Sequence, residues 1–240
     1  MPDAIFAVPR LAQVYDLLDG ERDDLDHYLA IAAESGARSV LDVGCGTGTF
    51  ACLLADRGVE VVGVEPAAAS LDIARAKPGA QRVRWLHGDA TRLPELQVDL
   101  ATMTANVAQV FLTDEEWSAT LRGVHTALRP GGRLVFEVRD PACQAWLGWN
   151  RDATRACLDV PGVGMVDTWL DVTEVNGEYV SFRQTYVFAS DGATLISDST
   201  LRFRPRADIE DSLRSAGYTL ADVRDAPDRP GREWVFIARN

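Results

Sequence analysis

The chain has 240 residues, enough for one domain with a substantial core, and its formal net charge of -12 argues against a nucleic-acid partner, because phosphate backbones demand a basic surface. No apolar run is long enough to span a bilayer, and the start, Met1 to Phe6, lacks a basic segment followed by a long apolar stretch, so a soluble cytoplasmic protein without a membrane partner is expected. The cysteines Cys45, Cys52, Cys143 and Cys157 form no C-x-x-C pair and His27, His87 and His125 are scattered, which argues against a disulfide framework or a metal site.

The predicted elements begin with a helix over Pro9 to Asp19, whose Leu11, Val14, Leu17 and Leu18 share a face, and a second helix over Glu21 to Ser35 that Gly36 stops. The acids Asp23, Asp24 and Asp26 in its first turns complement the helix dipole and need no ligand to explain them. Val40, Leu41 and Val43 then read as the end of a buried strand, after which Gly44, Gly46 and Gly48 turn the chain into a helix starting near Thr47. Such a turn presents bare backbone N-H groups to a ligand, and the following helix favours negative charge nearby. The spacing is G-x-G-x-G, with Thr49 where the dinucleotide fingerprint wants its third glycine. Asp42 inside the strand is an acid that can hold the loop amides. A second strand, Val59 to Val64, is followed directly by Glu65, which stands at about the distance expected for a carboxylate that accepts both ribose hydroxyls of an adenosine.

A helix over Ala67 to Lys77, a strand over Val83 to Leu86 and the turn Gly88-Asp89-Ala90 come next, then a fourth strand over Asp99 to Met103 leading into Thr104 to Gln109. Thr113 to Glu116 carries helix-start chemistry for a helix running to Leu128, Arg129 to Gly132 turns the chain, and Arg133 to Val138 makes a fifth strand. Beyond an insert, Ile209 to Ala216 is a helix, and Thr219 to Arg224 and Trp234 to Ala238 are strands joined by too few residues for a parallel crossover, so the last strand should be antiparallel. The alternation implies an α/β fold with a doubly wound, mostly parallel sheet.

The insert breaks that alternation. Pro141 to Ala156 reads as a helix bearing Trp146 and Trp149, and three runs follow, Met165 to Val175, Tyr179 to Ala189 and Thr194 to Phe203. Asn176-Gly177 and Asp191-Gly192 between them are hairpin signals, so a small three-stranded antiparallel sheet is expected. The basic stretch Arg202 to Arg206 alternates at strand spacing and reads as a solvated face.

At Val-Leu-Asp-Val-Gly-Cys-Gly-Thr-Gly, Val40 to Gly48, the chain closely resembles the class I methyltransferases that use S-adenosylmethionine, and Glu65-Pro66 and Leu-Arg-Pro-Gly-Gly-Arg-Leu, Leu128 to Leu134, extend the resemblance. It implies a seven-stranded Rossmann-like sheet over residues 1-240 as a single domain, with S-adenosylmethionine as cofactor and S-adenosylhomocysteine as product. It further implies cofactor contacts from Gly44, Cys45, Gly46 and Thr47 of the turn, with Asp42 beside it, from Glu65 and Pro66, and from Asp89 and Ala90 at the adenine. Tyr15 would belong to a lid over the cofactor, or simply pack on the domain surface. Asp89 has the alternative role of capping a short helix.

Thr104 and Asn106, at the carboxyl edge of the sheet, are candidates for the methionine end of the cofactor and for the substrate. The insert over residues 141-205 leaves from that same edge, so it is the expected substrate cover, with Asn106 and Gln109 beneath it. Trp146, Trp149, Trp169, Phe182 and Tyr186 offer aromatic walls, or else form the insert's own core or a homodimer contact. Arg139, Arg151 and Arg183 could orient a carboxylate or phosphate. The implied reaction is methyl transfer to a nitrogen or oxygen of a small molecule, for which no histidine offers a compelling base. The alternatives are a cofactor-binding module without transfer activity and a nucleotide-dependent oxidoreductase.

Overall fold

The computed structural model of the protein describes residues 2-18, 20 and 22-240. The expected helix ends at Asp19 and Glu21 lie outside them. The chain begins with α1 (Ala4–Ala7), α2 (Pro9–Leu18) and α3 (Asp24–Glu34). Then β1 (Ser39–Val43), α4 (Thr49–Asp56), β2 (Glu60–Glu65), α5 (Ala68–Ala76), β3 (Val83–His87), β4 (Val98–Met103), α6 (Asp114–Ala127) and β5 (Leu128–Arg139) alternate. After the insert, α8 (Arg206–Ser215), β10 (Thr219–Asp225) and β11 (Glu233–Arg239) return to the sheet.

Local chemistry explains most of these boundaries. α4 starts at Thr49, two residues later than expected, because Gly48 caps it with a left-handed φ of 80°. α6 carries a full capping box, in which the Thr113 side chain accepts the Glu116 N-H and the Glu116 side chain accepts the Thr113 N-H. The Arg129 to Gly132 turn is a bulge inside β5: Val98 pairs with Leu128 but Leu100 already pairs with Arg133.

The sheet order is β10-β11-β5-β4-β1-β2-β3, with β11 antiparallel to both neighbours as expected. The chain therefore enters mid-sheet at β1, winds outward through β2 and β3, and restarts on the other side at β4. That reversal lies between β1 and β4, where a doubly wound sheet holds its ligands at the carboxyl ends of the strands. Strands buried on both faces need apolar side chains at successive positions. Val40, Leu100, Val135 and Val235 face α3 and α4, and Leu41, Ala101, Leu134 and Phe236 face α6 and α8.

The insert differs from expectation in two respects. Residues 141-156 do not form one helix: two turns of 3-10 helix, Pro141–Cys143 and Ala145–Gly148, are followed by α7 (Arg151–Thr154). Gln144 at φ 45° breaks the run, and the Asn150 side chain caps a new start. Also, β6 (Ala156–Val160) joins β7 (Gly164–Asn176), β8 (Tyr179–Phe188) and β9 (Thr194–Arg202), so the sheet has four strands in meander order.

One face of this sheet buries Val160, Val166, Tyr186 and Phe188 against Ile5, Leu11 and Val14 of α1 and α2. Tyr186 thus belongs to the insert's own core and not to a pocket wall. The Arg202 to Arg206 stretch is only partly solvated. Arg202 pairs with Glu178 and Asp114 at 2.8 and 2.7 Å, and buried Arg204 lies over the Trp117 ring. This chain segment runs past the acidic start of α6, which draws both guanidiniums inward. Among the described residues no helix is long and apolar enough to cross a membrane.

Candidate active site

The glycine-rich turn is held almost wholly by backbone. Gly44 and Cys45 donate to Val64 O at 2.9 and 3.1 Å, and Gly48 donates to Cys45 O at 2.8 Å. The glycines are demanded by space as well as by φ: a Cβ on Gly44 would stand 2.8 Å from Val107, and one on Gly48 2.5 Å from Trp85. Above Gly46, at φ 52°, a Cβ would meet nothing within 4 Å, so the backbone there is open to close approach.

Glu65 holds one further amide of the turn and one just beyond β2. Its Oε2 accepts from Gly46 N at 3.0 Å and its Oε1 from Ala67 N at 2.8 Å. Burial raises the Glu65 carboxyl above its ordinary pKa while those two N-H groups pull it back. A carboxylate has about four acceptor positions, so two remain for ribose hydroxyls, and the open turn together with this acid fits an adenosine-bearing cofactor. Asp42 corrects the expectation. It bonds no loop amide; its Oδ1 accepts from Thr102 Oγ1 at 3.0 Å, and Oδ2 has no hydrogen-bond partner among the described residues. Burial pushes its carboxyl up to about 7.

Of the other expected cofactor residues, Cys45 and Thr47 belong to the turn itself. Thr47 Oγ1 donates to Asp16 of α2, and Lys77 bridges Asp16 at 2.7 Å and Thr49 at 2.6 Å, which pins α2 beside the turn. Tyr15 on that helix packs against Phe6, with ring centroids 5.3 Å apart, and also lines the neighbouring cavity. Cys45 is buried beside Gly63 and its thiol is pushed up by burial. Pro66 is exposed, with its carbonyl 3.1 Å from His87 Nε2. Asp89 caps a short 3-10 helix by accepting from Thr91 N at 2.8 Å, yet remains exposed, and Ala90 is buried beneath Gly123. The capping role therefore leaves Asp89 accessible to a base.

Beyond β4 the chain makes an unusual bend. Ala105 and Asn106 are consecutive left-handed residues at φ 58° and 60°, a conformation that costs on the order of 1-3 kcal/mol for a residue other than glycine. Glu137 of β5 holds the bend, its Oε1 accepting from Asn106 N at 2.8 Å. Thr104 and Asn106 are buried, and Asn106 Oδ1 has no partner among the described residues. Gln109 Oε1 accepts from Arg139 Nη1 at 3.1 Å while its Nε2 is without one. Arg139 also faces Glu233 at 3.5 Å and lies 5.5 Å over the Trp149 ring.

Trp149 packs edge-on against Phe182, and both Trp149 and Trp146 pack against Phe203. The structure thus brings Asn106, Gln109, Arg139, Trp149 and Trp146 into one continuous chain of contacts. Trp169, Arg151 and Arg183 stand apart from it, Arg151 over Trp169 at 4.1 Å and Arg183 paired with Asp198 at 2.7 Å.

A cavity of about 310 Å³ opens here, walled by Tyr15, Tyr28, Ala105, Asn106, Glu137 and Arg139, with Glu233 and Arg229 behind. The sequence reading missed Glu137, Glu233 and Tyr28. A signal existed, since Glu137 is an acid inside the apolar run Leu-Val-Phe-Glu-Val and Glu233 opens the last strand.

Residues 40–132 match a family described as "Methyltransferase domain". The chain is 38% identical over 106 residues to a cypemycin N-terminal methyltransferase of Streptomyces sp, covering 44% of this chain and 43% of that one. It spans about half the length of the curated relatives it matches. Among solved structures it is similar to the CcbJ methyltransferase of Streptomyces caelestis, with a TM-score of 0.74 at 25% identity over 96% of this chain and 97% of that one. The sugar N-methyltransferase KedS8 of Streptoalloteichus sp shares the fold, with a TM-score of 0.77 at 23% identity over 95% and 93%. Motif, strand order and relatives agree: residues 40–132 match the methyltransferase domain, and the whole chain resembles the class I S-adenosylmethionine-dependent methyltransferases in fold.

Proposed function

We propose that the protein transfers a methyl group from S-adenosylmethionine to a nitrogen or oxygen of a small molecule, and that the insert over residues 141-205 covers the acceptor. The observation that carries this is the cavity at the carboxyl ends of β4 and β5, a few residues from the open glycine turn and of a size for a small molecule. The cofactor supplies a methyl group already activated by its sulfonium charge.

The protein's part is to hold the partners in line and exclude water. Glu65 takes the ribose hydroxyls and Asp89 the exocyclic amine of adenine, while the backbone of Gly44 to Thr47 and the bend at Thr104 to Asn106 position the amino-acid end. Asp16, Lys77 and Thr47 keep α2 and its Tyr15 beside the turn. Trp149 lies over Arg139, with Trp146 beyond it on the shared Phe203, and Arg139 is itself fixed by Gln109 and Glu233. The sugar N-methyltransferase with the same fold supports a small acceptor.

Calorimetric titration with S-adenosylhomocysteine and with NAD tests the cofactor part. Binding of the sulfur compound in preference to NAD is expected; tight NAD binding with none of the sulfur compound would overturn the reading.

A further inference from the structure

Three walls of the cavity concentrate hydrogen-bond acceptors. Asn106 Oδ1 and the Tyr28 hydroxyl are buried, and neither has a partner among the described residues. The third wall is the carboxylate of Glu137, which accepts only the Asn106 N-H among the hydrogen bonds of the described residues. An ammonium group is the complement of such walls, with three N-H donors and no acceptor, whereas an alcohol brings a single donor. The charge balance points the same way: Asp23, Asp24, Glu137, Asp228 and Glu233 line the cavity against Arg22, Arg139 and Arg229. Glu233 is shared by Arg139 and Arg229, and Asp24 is held by Arg22, so the ion pairs among the described residues leave out Glu137.

We propose that this cavity receives the acceptor as a protonated amine held by Glu137, Asn106 and Tyr28, and that Glu137 takes the proton that must leave before the nitrogen can attack. The proposal rests on the methyl-transfer reading and names its acceptor class. One N-H proton passes to the Glu137 carboxylate. The freed lone pair forms the N-C bond as the methyl-sulfur bond breaks with its electron pair on sulfur, and the methylated nitrogen carries the positive charge that sulfur loses.

The surroundings suit this role. Burial, and after it the charge of Glu233 across on β11, pushes the Glu137 carboxyl up to about 8, against the pull of the Asn106 N-H and Arg139. Arg229 faces it from the segment before β11, Asp24 and Tyr28 from α3, and Tyr15 from α2, with Arg22, Asp23 and Asp228 at the remaining walls. With its pKa at about 8 the carboxyl is mostly protonated near pH 7 in the empty cavity, and an ammonium beside it favours the charged form, so the pair exchanges a proton at little cost.

The test compares the wild type with Glu137→Gln, which keeps an oxygen for the Asn106 N-H but loses the charge. The probes are amino sugars, each paired with the sugar that carries a hydroxyl at the same carbon. They are titrated into the S-adenosylhomocysteine complex and assayed for transfer. The variant should bind S-adenosylhomocysteine within about twofold of wild type, bind the amines at least about tenfold more weakly, and transfer about 100-fold more slowly near neutral pH. The rate deficit should shrink as the pH rises to about 9.5, where the free amine has lost its proton in solution.

A pH-independent deficit with normal amine binding overturns the proposal. So does an equal fall in S-adenosylhomocysteine affinity, which would assign Glu137 to the ammonium of the cofactor itself. Preference of the wild type for the hydroxyl sugars, or a panel neither bound nor methylated by wild type that binds S-adenosylhomocysteine, also overturns it. Wild type that fails to bind S-adenosylhomocysteine overturns the methyl-transfer reading instead.

Discussion

The carboxyl edge of the seven-stranded sheet and the inserted four-stranded sheet are both built around extended chain, yet they treat their polar groups in opposite ways. At the sheet edge, Asp42, Asn106, Gln109 and nearby Tyr28 each leave a buried polar atom without a partner among the described residues. In the insert the polar groups answer one another: Arg155 with Asp167, Arg183 with Asp198, Ser181 with Thr200 and Arg202 with Glu178, with the Tyr186 hydroxyl the exception within its strands. A buried polar atom left without a bond costs about 1-3 kcal/mol, so a fold keeps several together where a ligand can complete them. The edge thus keeps open acceptors and donors that suit the proposed ligands, and the insert packs on and anchors α1 and α2.

That contrast can be broken most strongly at Phe188, which is fully buried between the insert and the N-terminal helices under the Arg10 guanidinium. Phe188→Ala is expected to lower the unfolding free energy by about 3-5 kcal/mol in chemical denaturation. A loss below about 1 kcal/mol would mean that the insert and the two helices do not share a packed core.

Glu65→Ala probes the binding edge. It removes the carboxylate proposed to accept the ribose hydroxyls and frees the Gly46 and Ala67 amides, so affinity for S-adenosylhomocysteine should fall by about one to two orders of magnitude, the equivalent of about 1.5-3 kcal/mol. Unchanged affinity in a folded variant would place the ribose elsewhere.

The smallest expected effect is the pH dependence that Asp42 imposes. Its folded pKa of about 7 lies above the ordinary value of about 3.9, so between these limits the folded protein keeps a proton that the unfolded chain has lost. Stability from this group therefore falls as the pH rises through that window, and the whole penalty is present above it. Asp42→Asn retains an acceptor for Thr102 and removes the penalty. Its unfolding free energy relative to wild type should rise by at least about 1 kcal/mol between about pH 4 and pH 8, with Glu137 contributing equally to both proteins. Urea denaturation at the two pH values measures this, and a difference that does not vary with pH would show that Asp42 ionises normally.

The elements read correctly in advance are those whose cause lies within a few residues. The glycines of Gly44 to Gly48 and the acid at Glu65 announce the turn, Thr113 and Glu116 form their capping box, and Asn176-Gly177 and Asp191-Gly192 close the hairpins as their dihedral freedom requires. The short link before β11 forces an antiparallel ending by chain length alone. The readings that failed depend on partners far along the chain. β6 exists because β7 offers it an edge, and Arg204 is buried because β9 ends beside the start of α6. Asp42 leaves the loop amides to Glu65 because β1 is flanked by β4, which brings Thr102 to it across 60 residues.

The cavity is the strongest case. The sequence marks Glu137 as an acid in an apolar run but does not say what it faces, and only the pairing of β5 with β11, the bend after β4 and the docking of α3 bring it and Glu233 together with Asn106 and Tyr28. Local chemistry determines where a chain turns. Which charges must share a dry space is settled only when sheet closure removes the water between them.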